Sequence, residues 1–378
     1  MLFEETALIE GRDVTQFSWA SLRQFQNINF TANKIKKIHK ILPKYEKNAN
    51  KQAEQLRYCL IQAEEYFRAA ESVTMATKPL LIYYGIVSLA LAKILFKQSG
   101  MSSLDAARGQ HAHHGLDFRL AGGPVIGASL EEVGANFRAV PLVKANDERF
   151  GTFALWHASS RNSPIVGNLT RNLENGASTK ALNILAQVAD VSPAPLREKG
   201  LSFLDCARQL PYLRSTLNMH GVKGSTARGT IDATVWENRG RSEYKIVIQP
   251  GDGDIIEKIC EKFIFSPSMV PFAEISDMPS GYIISISELG EFSAPEAIQI
   301  KKDEVWFMHE NENLNEFGHI YVCMFIIGNY ARYYPEMWMK EIENSTPLFL
   351  LSQEIVHWSS RRMPLLCFGE LNRTYYLN

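Results

Sequence analysis

The apolar run LLIYYGIVSLALAKILFKQSG, at 80–100, limits most strongly what this chain can fold into. Between Leu80 and Phe96 the only charged residue is Lys93. A run of this length lies at the lower limit for a membrane-spanning helix, roughly 17–25 residues, and the charge interrupts it before it ends. The central helix of a helical core has the same composition, because it is apolar on nearly every side.

The segment before this run predicts a packing partner for it. In AEQLRYCLIQAEEYFRAAES, apolar residues recur at helical spacing and form one stripe: Leu56, Cys59, Leu60, Ala63, Tyr66, Phe67 and Ala70. Pro79 then stands in the first turn of the next helix, where proline is well tolerated. We therefore expect an amphipathic helix packed on a buried one, and not a membrane span.

The middle of the chain differs from its helical ends. Short β-branched and aromatic runs, bounded by Gly, Pro, Asp or Asn, predict strands in RFGTFALWHAS, GTIDATVWEN, EYKIVIQP, GYIISIS and EVWFM. Helices are expected between them in STKALNILAQVAD and LSFLDCARQLPYLRSTLN. The sequence thus predicts a mainly helical α+β fold, in which the N- and C-terminal helices form one bundle and an α+β module is inserted between them.

Four segments are expected, because 378 residues exceed the size at which a single core usually stops growing. They are an N-terminal helical domain at 1–120, a loop-rich connection at 121–147, an α+β module at 148–310 and a C-terminal helical segment at 311–378. Within the connection, Ser129 and Glu132 have the spacing of a capping box, which predicts the start of a short helix.

Charge and cysteine content exclude several classes of protein. The net charge is −1, and the one basic run, ANKIKKIHKILPKYEKNANK at 32–51, is typical of a solvated helix face. The five cysteines contain no CxxC pair, so neither a disulfide framework nor a thiolate zinc site is indicated. The acidic N-terminus lacks an apolar signal region. We expect a cytoplasmic protein without a membrane partner.

Three of the nine histidines stand within four positions, in RGQHAHHGLDFRL. An arginine can hold a scissile phosphate while an imidazole with a pKa near neutrality moves a proton. Arg108 precedes His113 by four intervening residues and His114 by five, and Arg214 precedes His220 by five. The first three residues are therefore the main candidates for a metal-independent ribonuclease site, and the second pair is the alternative.

Other interpretations of these residues stay open. His111, its two histidine neighbours and a nearby aspartate suit zinc or iron. Asp232, followed by Glu243 and Lys245, faintly resembles the acidic ExK pattern of metal-dependent nucleases, so a metal-dependent hydrolase is one alternative. In another, the histidines only cap the buried helix, and the protein is a non-catalytic scaffold. No phosphate-binding glycine loop occurs, and no cofactor is expected.

Two family resemblances follow from the helical segments. AEEYFRAAESVTMATKPLLIYYGIVSLALAKILF, followed by HG at 114–115, resembles the YaaC-like bacterial family. Near the C-terminus, GNYARYYPEMWMKEI and SSRRMPLLCFGEL are similar to that family's RYxPxxW segment and its late proline-containing helix. This sequence contains YYG, then LALAKILF, then a glycine and a histidine. The same order of motifs is similar to that of HEPN domains, which are helical.

The HEPN resemblance implies a ribonuclease of a toxin or anti-phage system, acting through an R-x4-6-H motif across a dimer. Carried over by position, Arg108 would bind phosphate, and His113 or His114 would act as acid and base. RNA, a second copy of the chain or a partner protein of a defence operon would be the partners. In that superfamily the motif normally lies on a later helix, and here Gly109 lies inside it.

Overall fold

A computed structural model provides the structure of the chain. It describes residues 5–97, 104, 113–122, 125–145, 149–160, 166–172, 178–184, 200–236, 241–248, 264–265, 273–278, 281–287, 292–293, 297–301, 304–308 and 314–377. The fold is α+β and mainly helical, with the long helices at the two ends of the chain and most of the described strands between them.

The N-terminal part consists of helices and a short 3-10 turn. They are α1 (Val14–Gln24), α2 (Ile28–Ile38), the turn Pro43–Tyr45, α3 (Glu46–Glu71) and α4 (Lys78–Lys97). Asp13 caps α1 and Asn27 caps α2, because each side chain accepts a hydrogen bond from a backbone N–H of the first turn. The C-terminal part consists of α9 (Glu316–Tyr333), α10 (Pro335–Glu343) and α11 (Pro347–Asn372).

Helix α4 is the buried helix that its sequence predicts. By length and composition it qualifies as a membrane span over Lys78–Phe96, but 72% of that window is buried inside the protein. It packs against α3, α9 and α11. The N- and C-terminal helices therefore share one core, as predicted, and the burial of α4 is consistent with a soluble protein.

Two buried ion pairs join these helices. Lys93 of α4 pairs with Glu370 of α11, and its ammonium lies 3.6 Å from the centre of the Phe317 ring. Arg362 of α11 donates two hydrogen bonds to the carboxylate of Glu316 on α9, at 2.6 and 2.7 Å. The single charge in the apolar run thus has a structural partner, since a buried charge requires a counter-charge.

The middle of the chain supplies a large sheet. Its strands are β4 (Val166–Asn172), β5 (Ser178–Ile184), β7 (Thr226–Trp236), β8 (Arg241–Ile248), β10 (Ala273–Met278), β11 (Gly281–Ser287), β13 (Ala297–Lys301) and β14 (Glu304–Met308). Their order is β10-β11-β8-β7-β14-β13, and β4 pairs with both β5 and β7. Strands β7, β8, β11 and β14 fall on predicted runs, and those predictions are confirmed.

Smaller elements connect the sheet to the helices. A second sheet contains β2 (Leu116–Leu120), β3 (Phe137–Pro141) and β6 (Leu201–Ser202), whereas β1 (Glu5–Leu8) pairs with β15 (Thr374–Leu377), and β9 (Ile264–Phe265) with β12 (Phe292–Ser293). The short helices are α5 (Leu130–Asn136), α6 (Thr152–Ser159), α7 (Phe203–Ala207) and α8 (Arg214–Met219). Ser129 and Glu132 form the predicted capping box at the start of α5. The four segment boundaries stay predictions.

Two local predictions in the middle of the chain are wrong. RFGTFALWHAS is expected to be a strand, but it contains helix α6, whose Phe153 and Trp156 are buried against Tyr321 of α9. STKALNILAQVAD is expected to be a helix, but its first seven residues form β5, which pairs with β4 along its whole length. In both cases tertiary contacts override the local pattern.

Candidate functional site

His113 and His114 lie just before β2, at the point where the chain meets α6. Their backbone carbonyls accept hydrogen bonds from the N–H groups of Thr152 and Phe153, both at 3.0 Å. Gly151 permits this close approach: its φ is +93°, and a Cβ there would lie 2.5 Å from the backbone of Gly115, directly after the two histidines. The histidine backbone is thereby fixed at the start of α6.

The two imidazole rings have aromatic neighbours. The ring of His113 stands edge-on to Phe150, with 5.3 Å between ring centres. The ring of His114 lies 5.6 Å from that of Tyr83 and 6.2 Å from that of Tyr84. These tyrosines begin the predicted YYG pattern of α4, so the buried helix positions the imidazole of His114.

Both histidines line a cleft of about 330 Å³, here called the histidine cleft. Its other lining residues come mostly from α3 and α4: Gln62, Tyr66, Tyr84, Val87, Ser88, Leu91, Leu104 and Thr152. The rings of Tyr66 and Tyr84 stack at 5.7 Å, and the hydroxyl of Ser88 donates to the side-chain amide oxygen, Oε1, of Gln62 at 3.2 Å. The cleft thus combines aromatic faces, an amide and two imidazoles.

Arg332, at the end of α9, adds a cation beside this cleft. Its Nη1 donates a hydrogen bond to the hydroxyl of Tyr84 at 2.7 Å, although the two residues are 248 positions apart in sequence. Arg332 is not found by looking for an arginine a few residues before a histidine, because it lies far from the histidines in sequence. Its place as the first residue of the RYxPxxW segment is the signal that could have identified it.

The environment lowers the pKa of His114. The main cause is burial of part of the ring, which disfavours the charged imidazolium, and the positive charges of Arg332 and His113 add to it. His114 is therefore neutral at neutral pH, and one ring nitrogen is available to accept a proton. A neutral imidazole close to an exposed guanidinium is suited to proton transfer next to a phosphate.

Arg108, the predicted phosphate ligand, lies outside the residues that the structure describes, as does His111. Leu104, four residues before Arg108, is described: it lines the histidine cleft, and its backbone N–H donates to Oε1 of Gln55 at 2.8 Å. The chain therefore lies beside the cleft shortly before Arg108. The role of Arg108 stays a prediction.

The alternative pair, Arg214 and His220, lies at the two ends of α8. Nη1 of Arg214 donates to the carbonyl oxygen of Thr226 at 3.3 Å, and the guanidinium lies 5.7 Å from the centre of the Trp306 ring. These contacts give Arg214 a structural role that does not depend on a ligand. The pair stays a prediction.

The metal-dependent alternatives involve other positions. Among the residues that the structure describes, no group of three or more His, Cys, Asp or Glu is arranged to hold a metal ion. In the β7–β8 hairpin, however, Asp232 is paired directly with Lys245, and Glu243 is paired with Thr234. Because alternate residues of a strand belong to one face, Asp232, Glu243 and Lys245 share a face of this hairpin.

Comparison with known proteins gives one match. The sequence model of the family described as YaaC-like protein matches residues 19–122. No curated protein and no solved structure matches the chain. The C-terminal RYxPxxW segment lies beyond the matched residues, so its likeness stays a resemblance. Residues 19–122, which include α2–α4 and the histidines of the cleft, are thus similar to the YaaC-like family, as predicted.

Proposed function

We propose that this YaaC-like protein binds RNA and cleaves it without a metal ion in the histidine cleft. The observation that carries the proposal is the position of neutral His114 beside Arg332, in a cleft that His113 also lines. A base, a second imidazole and a cation are the groups that metal-independent cleavage of RNA requires. The HEPN resemblance points to the same chemistry.

The reaction uses the 2′-hydroxyl of the RNA as the nucleophile. His114 accepts the proton of this hydroxyl while the 2′-oxygen forms a bond to phosphorus. The bond from phosphorus to the 5′-oxygen breaks, and His113 supplies a proton to that oxygen. Arg332 and the predicted Arg108 balance the charge of the phosphate oxygens. The products are a 2′,3′-cyclic phosphate and a 5′-hydroxyl end.

The first test is cleavage of RNA by the purified protein in EDTA. His114→Ala is expected to lower the cleavage rate by about 10²–10⁴-fold, the usual contribution of a general base. His357→Ala, at an exposed histidine of α11, is the matched control and should leave the rate unchanged. Circular dichroism checks that each variant is folded, and mass analysis of the products identifies the cyclic phosphate.

Two further variants locate the site. Arg108→Ala and His113→Ala should each reduce cleavage if the predicted residues act with His114. Unchanged cleavage in the histidine variants would contradict the proposal and direct attention to Arg214 and His220. A wild-type protein that cleaves no RNA would contradict it as well.

The β7–β8 hairpin favours a second candidate, a metal-dependent nuclease. Its supporting observation is the shared face of Asp232, Glu243 and Lys245, since two carboxylates and a lysine suit a divalent cation and an attacking water. This site would be active with Mg²⁺ or Mn²⁺ and silent in EDTA. In an assay that contains Mg²⁺ instead of EDTA, Asp232→Asn should then abolish cleavage that His114→Ala leaves intact, which separates the two candidates.

A non-catalytic scaffold is the third candidate. It is supported by the backbone hydrogen bonds of His113 and His114, which fix the start of α6 and do not involve the imidazole rings. Location in the cytoplasm stays a prediction from the cysteine content and the N-terminal sequence. A homodimer and a role in bacterial defence with a partner protein stay predictions that come from the HEPN resemblance.

A further inference from the structure

A second surface, on α2 and the start of α3, is strongly basic. Seven lysines and one glutamate lie at 32–51, so the rest of the chain carries 33 basic and 40 acidic residues. The glutamate, Glu46, pairs with one of these lysines. Four of the others are exposed and have no acidic partner in the part of the chain that the structure describes: Lys37, Lys40, Lys44 and Lys47.

Aromatic rings are exposed among these lysines. Phe30 is 39% exposed, Tyr45 47% and Tyr58 56%. The ammonium of Lys44 lies 4.9 Å from the centre of the Tyr45 ring, and that of Lys34 lies 5.3 Å from the centre of the Phe30 ring. Cations interleaved with exposed rings fit a ligand that has both phosphates and planar bases.

One face of α3 connects this surface to the histidine cleft. Residues spaced three or four positions apart share that face: Lys47, Lys51, Glu54, which accepts a hydrogen bond from the hydroxyl of Tyr58 at 3.3 Å, then Tyr58, Gln62 and Tyr66. The last two line the cleft. At 1.5 Å per residue, this face is about 28 Å long from Lys47 to Tyr66. A flexible ligand strand that is bound at the lysines can therefore reach the cleft along this face of α3.

We infer that Lys37, Lys40, Lys44, Lys47 and Tyr58 form a track that binds the backbone and bases of single-stranded RNA. The lysines contact phosphates and release their counterions, while Tyr58 stacks on a base. Delivery of the strand to a cleavage site rests on the proposed function, whereas binding does not. RNA fits better than an acidic protein or an anionic membrane, because the track leads to a cleft that contains stacked tyrosines and imidazoles.

The test measures binding of a short fluorescein-labelled single-stranded RNA to the full-length protein, by fluorescence anisotropy in EDTA. His114→Ala is present in every sample, so that the RNA stays intact. The triple variant Lys40→Gln/Lys44→Gln/Lys47→Gln is compared with the matched control Lys223→Gln/Lys301→Gln/Lys340→Gln, which changes three exposed lysines elsewhere. Circular dichroism verifies folding.

The track variant is expected to bind roughly tenfold more weakly at low salt. The slope of log Kd against the logarithm of the salt concentration should fall by about two, because three phosphate contacts are lost. The control triple should bind as its parent does. Tyr58→Ala should also weaken binding, whereas Tyr58→Phe, which keeps the ring, should not.

Equal binding by the two triple variants would overturn the inference. So would a protein that binds an acidic peptide or anionic vesicles and not RNA. Track-dependent binding without any cleavage by the wild type would refute the ribonuclease and leave the track in place. Cleavage at low RNA concentration that the track variant performs as well as the wild type would refute delivery of the strand by the track and leave the ribonuclease.

Discussion

His114 and Arg332 influence each other at the scale of single residues. The guanidinium helps to lower the pKa of the imidazole, after the larger effect of burial. A general base with a lowered pKa is already deprotonated in mildly acidic solution. The pair therefore extends the range of pH over which His114 can accept a proton.

This coupling predicts the pH dependence of RNA cleavage. The rate should rise with pH as His114 loses its proton, and the midpoint of this acid limb should lie below pH 6.5, the ordinary pKa of histidine. Arg332→Gln removes a positive charge, so the pKa of His114 should rise and the acid limb of the pH–rate profile should move to higher pH. A profile of kcat/KM for the wild type and the variant measures this shift.

Arg332→Lys is the matched control, because it keeps a positive charge at this position. Its acid limb should stay close to that of the wild type even if the rate itself falls. A limb that moves equally in both variants would indicate a change of structure and would count against the electrostatic coupling. Titration of His114 by NMR gives the same pKa without turnover.

The residues of the cleft also show how far sequence reasoning reaches. The histidines are predictable because three of them stand together, and a local cluster is visible in any short window. Arg332 and Tyr84 meet only because α9 packs on α4. A contact between residues that are far apart in the chain has no local pattern, so the cation of the cleft follows from the fold alone.

At the scale of elements, the Arg362–Glu316 pair fixes α11 to α9. Both side chains are almost completely buried. Glu316→Gln removes one charge and leaves the other without a partner, so the free energy of unfolding should fall by about 3–5 kcal/mol. Replacing both residues, as in Arg362→Met/Glu316→Leu, should recover most of this loss. Urea denaturation of the three proteins measures these values.

An exposed pair provides the comparison. Arg119 and Asp117 interact at 2.9 Å in β2, but both side chains are largely in solvent. Asp117→Asn should therefore change the free energy of unfolding by less than about 1 kcal/mol. Similar losses in Asp117→Asn and Glu316→Gln would show that burial does not determine the contribution of these pairs.

An element could be predicted from the sequence where its local hydrophobic pattern agrees with its burial in the fold. Where the two disagree, the prediction is wrong. Helix α4 is apolar on nearly every side and is buried, and Ser129 with Glu132 caps α5 through contacts within one turn. Helix α6 carries Phe153 and Trp156 in a run that is typical of a strand. Their helical conformation depends on burial against α9, which the local sequence does not contain.

At the scale of the whole molecule, the core joins the two ends of the chain. Helix α4 packs on α3, which precedes it, and on α9 and α11, which begin only at residues 316 and 347. The folded core is therefore complete only after nearly all of the polypeptide is present.

This arrangement has a consequence for synthesis on the ribosome. At about 5–20 residues per second, α9 begins to emerge roughly ten to forty seconds after α4. During that interval an apolar helix long enough for a bilayer lacks α9 and α11 and is covered mainly by α3 and α6. The nascent chain thus presents to targeting factors and chaperones the same signal as a membrane anchor, until translation of its last helices hides it.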